Sequence, residues 1–262
     1  MRRVDFGGRR PPLQEIQRWT LNVERWTFSL NQMNRYLITG ASRGIGRAIA
    51  QKLAARNVTL LLHGRDTVAL AQTQKMVEPL CGKVIPLLHD LALTSGVRDL
   101  IAQVGNQPLH LLVNNAGVAI VKPFAEITEV EWEQTVGVNV TAPFLLTQHF
   151  APKMPPGASI VNILSIAAKT GYANWSAYCM SKFALEGFSQ SVREELRDRK
   201  IRVLNIYPAA TSTEIWDGVA GDWPREKMMS PEEVAGAIAY ALSRPNEITL
   251  ENITLSSLSG HL

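Results

Sequence analysis

Residues 35–56, RYLITGASRGIGRAIAQKLAAR, join an apolar strand to a helix through a turn that holds three glycines. Arg35–Thr39 carries the apolar run. Gly44–Arg56 repeats apolar side chains at Ile45, Ile49 and Leu53, the spacing of one helix face. Between them stands Thr39-Gly40-Ala41-Ser42-Arg43-Gly44-Ile45-Gly46. Glycines let a backbone approach a pyrophosphate, and a helix N-terminus offers unpaired N–H groups and a positive dipole end. The spacing is G-x-x-x-G-x-G, so the commoner G-x-G-x-x-G fingerprint does not apply letter for letter.

The same alternation continues outward. Strands are expected at Val58–Leu62, Val84–Leu88, Leu109–Asn114, Ala158–Leu164, Ile201–Tyr207 and Ile248–Leu255. Helices are expected over 66–80, Val97–Val104, 129–150 and 176–199. A last helix opens at Ser230-Pro231-Glu232-Glu233, with Ser as N-cap, Pro at the first position and Glu at the third. This order predicts an α/β fold: a single-domain, doubly wound parallel sheet of Rossmann type, about seven strands, with helices on both faces. Ligands of such sheets sit at the carboxyl ends of the strands, where strand order reverses.

The 262 residues are 46% apolar and 19% charged, a globular composition that excludes intrinsic disorder. The formal charge of +4 sits mostly in residues 1–32, where six arginines face Asp5, Glu15 and Glu24. The nearly balanced remainder argues against a nucleic-acid partner. Residues 1–32 read as a poorly ordered extension, with a docking arm built on Trp19 and Trp26 as the alternative; residues 33–262 read as the catalytic domain. Cys81 and Cys179 make no disulfide framework, and His63, His89, His110, His149 and His261 lack metal-ligand spacing, so no metal is expected. No stretch suits a membrane span, Ala235–Leu242 reading as a buried helix face, and the N-terminus lacks the apolar region of a secretory signal. A cytoplasmic location follows as the expectation.

T-G-x-x-x-G-x-G at the first turn resembles the short-chain dehydrogenase/reductase family. Asn114-Asn115-Ala116-Gly117 after the fourth strand matches that family's N-N-A-G motif. Ser165 after the fifth strand, then Tyr178 and Lys182 as Y-x-x-x-K, match its catalytic residues in order and spacing. The resemblance covers residue 34 to the end. A lone Y-x-x-x-K is common by chance; four motifs in order, each at its strand end, are specific.

Tyr178 and Lys182 lie one turn apart on one helix face. An ammonium there is expected to lower the phenol's ordinary value of about 10 and make Tyr178 a general acid/base. Ser165 could hydrogen-bond a carbonyl oxygen and stabilise its developing charge. The resemblance implies that Lys182 also holds the nicotinamide ribose, and that Asn139, in V-N-V, supports a water-linked proton relay. Cys179 reads as a packed helix residue.

For the cofactor, NADP(H) is expected over NAD. An arginine at the second strand end accommodates a 2′-phosphate, and Arg65 follows Gly64, which stands where NAD-preferring relatives have Asp. Arg43, in the glycine turn, can clamp the same phosphate. Asp66 reads as the N-cap of the next helix. The expected cofactor contacts are Gly40, Ser42, Arg43, Gly44, Ile45, Gly46, Arg65, Asn115, Ala116, Gly117, Tyr178 and Lys182. By resemblance Asp90, with Leu91 beside it, contacts adenine, and Pro208 and Thr213 complete the set. The chain departs from the family pattern at Ala209, in place of glycine, and at Thr211, in place of an aliphatic. Ala209 is tolerable if its φ stays negative.

Residues 214–227, EIWDGVAGDWPREK, suit a short substrate lid with Gly218 and Gly221 as hinges. Trp216, Trp223, Val118, Ala119, Ile120, Ile166, Ala167 and Ala168 suggest an apolar lining. The expectation is hydride transfer between NADP(H) and a neutral, fairly apolar carbonyl or alcohol. A non-catalytic sensor or scaffold of the same fold is the alternative, against which the intact Ser165, Tyr178, Lys182 and Asn139 argue. Relatives suggest a homodimer or homotetramer built on the long helices.

Overall fold

A computed structural model describes residues 33–219 and 221–258. The N-terminal extension, and the order expected of it, lie outside the described residues. From Asn34 the elements run β1 (Asn34–Ile38), α1 (Gly44–Leu53), β2 (Val58–Gly64), α2 (Thr67–Val77), β3 (Lys83–Leu88), α3 (Thr94–Val104) and β4 (Leu111–Asn114). They continue with α4 (Glu129–Val136), α5 (Ala142–Phe150), β5 (Ser159–Ile163), α6 (Ser176–Arg197), β6 (Arg202–Pro208), α7 (Pro231–Leu242) and β7 (Asn252–Leu255).

All seven strands pair in parallel, in the order β3-β2-β1-β4-β5-β6-β7. The order reverses between β1 and β4, and the glycine turn follows β1 at that point. Alternation along each strand feeds two cores. Ile38, Leu60, Leu62, Val113, Val161 and Ile206 pack on Ile49 of α1 and Ile238 of α7. Leu37, Leu61, Leu112, Ile160 and Val203 pack on Leu100 of α3 and Leu146 and Phe150 of α5. Both faces being covered explains why these strands read as almost continuous apolar runs.

The caps form as expected. Asp66 accepts from Ala69 N at 3.0 Å, and Ser230 and Glu233 close a capping box with Pro231 in the first turn. Several element boundaries differ from the expectation. α2 stops at Val77 because Pro79 lies in the short 3-10 turn that follows. α3 begins at Thr94, three residues before Val97. β7 is confined to 252–255, where it pairs with 205–208; Ile248 instead donates to Pro245 O in a turn. The helix expected over 129–150 is split by a π-helical segment, Gly137–Thr141. Pro143 lacks an N–H for the Asn139 carbonyl four residues before it, and Gly137 packs on Ala92 so closely that a Cβ there would lie 2.4 Å from Ala92 O.

An asparagine row crosses the sheet. Asn114, Asn162, Asn205 and Asn252 are direct register partners on β4, β5, β6 and β7. Asn114 Nδ2 donates to Asn162 Oδ1 at 2.8 Å, and Asn162 Nδ2 donates to Ser189 Oγ at 2.7 Å. Asn205 Nδ2 donates to Glu186 Oε2 at 3.1 Å, and Tyr207 OH donates to the same carboxylate. Arg193 adds bonds to Val203 O, at 3.0 Å, and to Glu251 O, at 3.0 Å. Helix α6 therefore docks through polar side chains, Lys182, Glu186, Ser189 and Arg193, which recur at helical spacing. Asn162→Ala should leave buried donors and acceptors unpaired, costing about 2–3 kcal/mol and lowering Tm by roughly 5–10 °C. Thermal unfolding measures this; an unchanged Tm would remove the row from the stability account.

Candidate active site

The strand ends that meet at the reversal open into a cleft of about 370 Å³. Its floor is the glycine turn. Gly40 has φ 65°, and a Cβ there would lie 2.9 Å from Ala116 Cα. A Cβ on Gly46 would lie 2.1 Å from Gly40 O, so only glycine lets α1 start this close to the turn. Thr39 locks the turn to the N-N-A-G segment: its Oγ1 donates to Val113 O at 3.0 Å and accepts from Asn115 N and Ala116 N, each at 3.0 Å. Asn115 Nδ2 donates to Thr39 O at 2.8 Å and Gly40 O at 3.1 Å. His63 lies behind, with Nε2 against His89 O at 3.0 Å; burial lowers its pKa to about 4, so it is neutral.

Gly40, Ser42, Arg43, Gly44, Ile45, Arg65, Asp90, Leu91, Asn115, Ala116, Gly117, Ser165, Tyr178, Lys182, Pro208 and Thr213 all line the cleft. Gly46 and Asn139 stand behind its wall instead. Gly46 acts through packing. The Asn139 side chain is buried and committed: Oδ1 accepts from Val118 N at 2.9 Å, and Nδ2 donates to Val118 O and Ser181 Oγ, each at 2.9 Å. It fixes the backbone just past Gly117.

Arg65 sits at the rim, 3.7 Å from Asp90 Oδ1, with both side chains about half exposed; such a pair contributes little stability. Gly64 leaves room for the Ser42 side chain: a Cβ there would lie 1.9 Å from Ser42 Oγ and 3.3 Å from Ser42 Cβ, so the hydroxyl would have to turn away. That Ser42 hydroxyl is buried in the cleft and has no hydrogen-bond partner among the described residues. A buried hydroxyl and two arginines at one end, beside a helix N-terminus, fit a phosphorylated ribose.

At the other end, Lys182 Nζ donates to Ile163 O at 2.8 Å and lies 5.6 Å from the centre of the Tyr178 ring. Burial lowers the lysine to about 8. Tyr178 is pushed up to about 12 by burial, opposed by a hydrogen bond with Ser165. The expected lowering of Tyr178 is thus corrected: loss of hydration outweighs the Ser165 hydrogen bond, and the phenol's value rises instead. Ser165 also accepts from Ala167 N at 3.1 Å, which fixes its rotamer. Ala209 is buried with a negative φ, and its N–H donates to Leu255 O at 2.8 Å, so the missing glycine costs nothing.

Several lining residues were not foreseen: His63, Tyr172, Trp175, Thr211 as a lining group, and Glu214. Trp175 immediately precedes α6 and could have been marked by its place three residues before Tyr178. The segment carrying Trp216 and Trp223 is closed at its base by the Thr211–Met229 bridge and tied by Arg225, which donates to Thr213 O at 2.6 Å and pairs with Asp217 at 2.7 Å. Among the described residues no His/Cys/Asp/Glu cluster suits a metal, and no helix is long and apolar enough to cross a membrane.

A parallel sheet with a glycine turn at its reversal, facing a tyrosine–lysine pair, defines a dinucleotide-binding oxidoreductase. The family model for short chain dehydrogenase matches residues 34–222, and the chain belongs to that family. It is similar to the sepiapterin reductase of Chlorobaculum tepidum, 32% identical over 237 residues that cover 86% of this chain and 97% of that protein. It is also 32% identical to the L-xylulose reductase of Caenorhabditis elegans, over 80% of this chain and 88% of that one. Among solved structures, a short chain dehydrogenase from Burkholderia cenocepacia in complex with NADP superposes with a TM-score of 0.76 at 29% identity, covering 86% and 97% of the two chains. An angucycline C-6 ketoreductase with bound NADP has a TM-score of 0.75 at 27% identity, covering 85% and 94%.

Proposed function

We propose that this oxidoreductase uses NADPH to reduce a neutral, fairly apolar carbonyl compound, and catalyses the reverse oxidation of the alcohol. The observation that carries this reading is the convergence of Ser165, Tyr178 and Lys182 at one end of a cleft whose other end holds Arg43, Arg65 and the unpaired Ser42 hydroxyl.

Bound NADPH supplies the hydride. Ser165 donates a hydrogen bond to the carbonyl oxygen, where negative charge develops as the carbon is reduced. Tyr178, protonated at neutral pH, gives its proton to that oxygen, so the product leaves as a neutral alcohol. Lys182 is held by Ile163 O and keeps further N–H donors for the nicotinamide ribose and for returning the proton to Tyr178. Asn139 contributes through its backbone carbonyl, which Pro143 leaves without its helical donor, since its side chain is spent on Val118 and Ser181. Gly117 lies next to Lys182 Nζ; a Cβ there would stand in ordinary contact, 3.8 Å from the ammonium nitrogen.

Two cysteines without a disulfide support a reducing cytoplasm. Half-exposed Phe144 and Phe183, on α5 and α6, support a homodimer or homotetramer assembled through those helices. The reading is tested by NADPH consumption with apolar aldehydes and ketones beside charged keto acids. Turnover of the apolar set is expected; preference for keto acids contradicts it.

A further inference from the structure

Four aromatic rings gather at the substrate end of the cleft. Trp175 lies 5.5 Å from the Tyr178 ring, 5.8 Å from Trp216 and 6.3 Å from Trp223, each contact close to edge-on. Trp216 and Trp223 stand 4.8 Å apart, tilted by 46°. The cluster draws on two separate segments: the residue before α6 and the 214–227 loop. Trp216 cannot turn away, because its Nε1 donates to Thr211 O at 2.8 Å, and Trp223 packs over Gly221, where a Cβ would lie 3.1 Å from the indole nitrogen.

We infer that Trp175, Trp216 and Trp223 form an aromatic slot beside Tyr178 that selects ketones carried on a flat aromatic ring. The inference rests on the carbonyl-reductase reading above and names its substrate class. Indoles fixed at steep angles to one another present both a face and an edge, and a flat ring satisfies both at once, by offset stacking and by edge-to-face contact. A saturated ring of the same size is thicker, has no quadrupole, and gains only the burial of its surface.

The charges around the cleft point the same way. Its charged lining residues are Arg43, Arg65, Asp66, Asp90, Lys182 and Glu214. Lys182 is bound to Ile163 O, and Glu214 lies beside Gly44 at the glycine turn, where a Cβ on that glycine would come 3.5 Å from its carboxylate. The uncharged lining includes Val118, Ala119, Ile166 and Val219, with Tyr172, whose carbonyl accepts from Trp175 N at 3.2 Å. Among the described lining residues the cation beside Tyr178 is Lys182, which the reading above assigns to the nicotinamide ribose, so an anionic substrate finds no free cation there, and a polyol finds few side-chain partners for its hydroxyls. A cationic ketone could use the indole faces, which makes it the sharpest competitor.

The test measures kcat/KM with NADPH and the full-length protein for four ketones: 2-acetylnaphthalene, its saturated counterpart 2-acetyldecalin, a ketopentose, and a ketone bearing a quaternary ammonium. The aromatic ketone should exceed its saturated counterpart by about ten-fold, with the difference mostly in KM. Trp175→Leu should bring that ratio close to one, and Trp175→Phe should restore most of it. Trp223→Leu, at the outer edge, should lower the ratio less. Equal efficiency for the two matched ketones in the wild type overturns the slot while leaving the carbonyl-reductase reading intact. A preference for the ketopentose or the cationic ketone also overturns it. Failure with every carbonyl tried contradicts the underlying reading itself.

Discussion

Tyr178→Phe should lower carbonyl reduction by about 10²–10⁴-fold while NADPH binding, read by fluorescence, stays within a few-fold of wild type. The ring remains to pack against Trp175, so only the proton and the hydrogen bond to Ser165 are lost. Retention of most of the activity would remove Tyr178 as the acid. The pH dependence follows from the same group. Burial holds the phenol up at about 12, so the acid form persists through neutrality, and reduction should be flat from about pH 6 to about pH 7. Lys182, lowered to about 8, is an ammonium below that pH and an amine above it, so reduction should decline as the lysine loses its proton. Alcohol oxidation needs the phenolate and should rise with pH over the same range. Lys182→Met should remove the alkaline decline in whatever activity it retains.

Removing the two cleft arginines together, Arg43→Ala with Arg65→Ala, should raise KM for NADPH by about 10²-fold and change KM for NADH far less. Each guanidinium would lose a charge-assisted bond to the 2′-phosphate. The half exposure of Arg65 and its pairing with Asp90 put its share at the lower end of what such bonds supply. An equal effect on the two cofactors would show that the arginines do not read the 2′-phosphate. Gly64 strengthens the case from the opposite side. An aspartate, which would accept the 2′-hydroxyl of NAD, cannot stand there without displacing the Ser42 hydroxyl.

The sheet was legible because a strand covered on both faces must be apolar almost throughout, and Val58–Gly64 and Arg202–Pro208 are fully buried. The glycine turn and the Tyr178–Lys182 pair were legible because their spacing is set by local backbone geometry. The docking face of α6 was not. Lys182, Glu186, Ser189 and Arg193 carry the charge and polarity of a solvated stripe, yet they turn inward, Glu186 and Ser189 to the asparagine row and Lys182 and Arg193 to the carbonyls of Ile163 and Val203. That row is a matter of register between strands far apart in sequence, which no local pattern encodes. The π-helical segment was hidden for a different reason. Residues 129–150 keep helical periodicity on both sides of it, and only Pro143, four residues after Asn139, marks the break. The opposed shifts of Tyr178 and Lys182 depend on how deeply each is buried, a quantity set by the whole fold.

The most direct test follows deuterium from NADPH labelled at C4 on one face or the other into the product of an apolar ketone, read by mass spectrometry. The account predicts label at the carbinol carbon from one face only, because Ser165 and Tyr178 hold the carbonyl on a single side of the cleft. Consumption of NADPH with no deuterium at that carbon, or equal transfer from both faces, would contradict it.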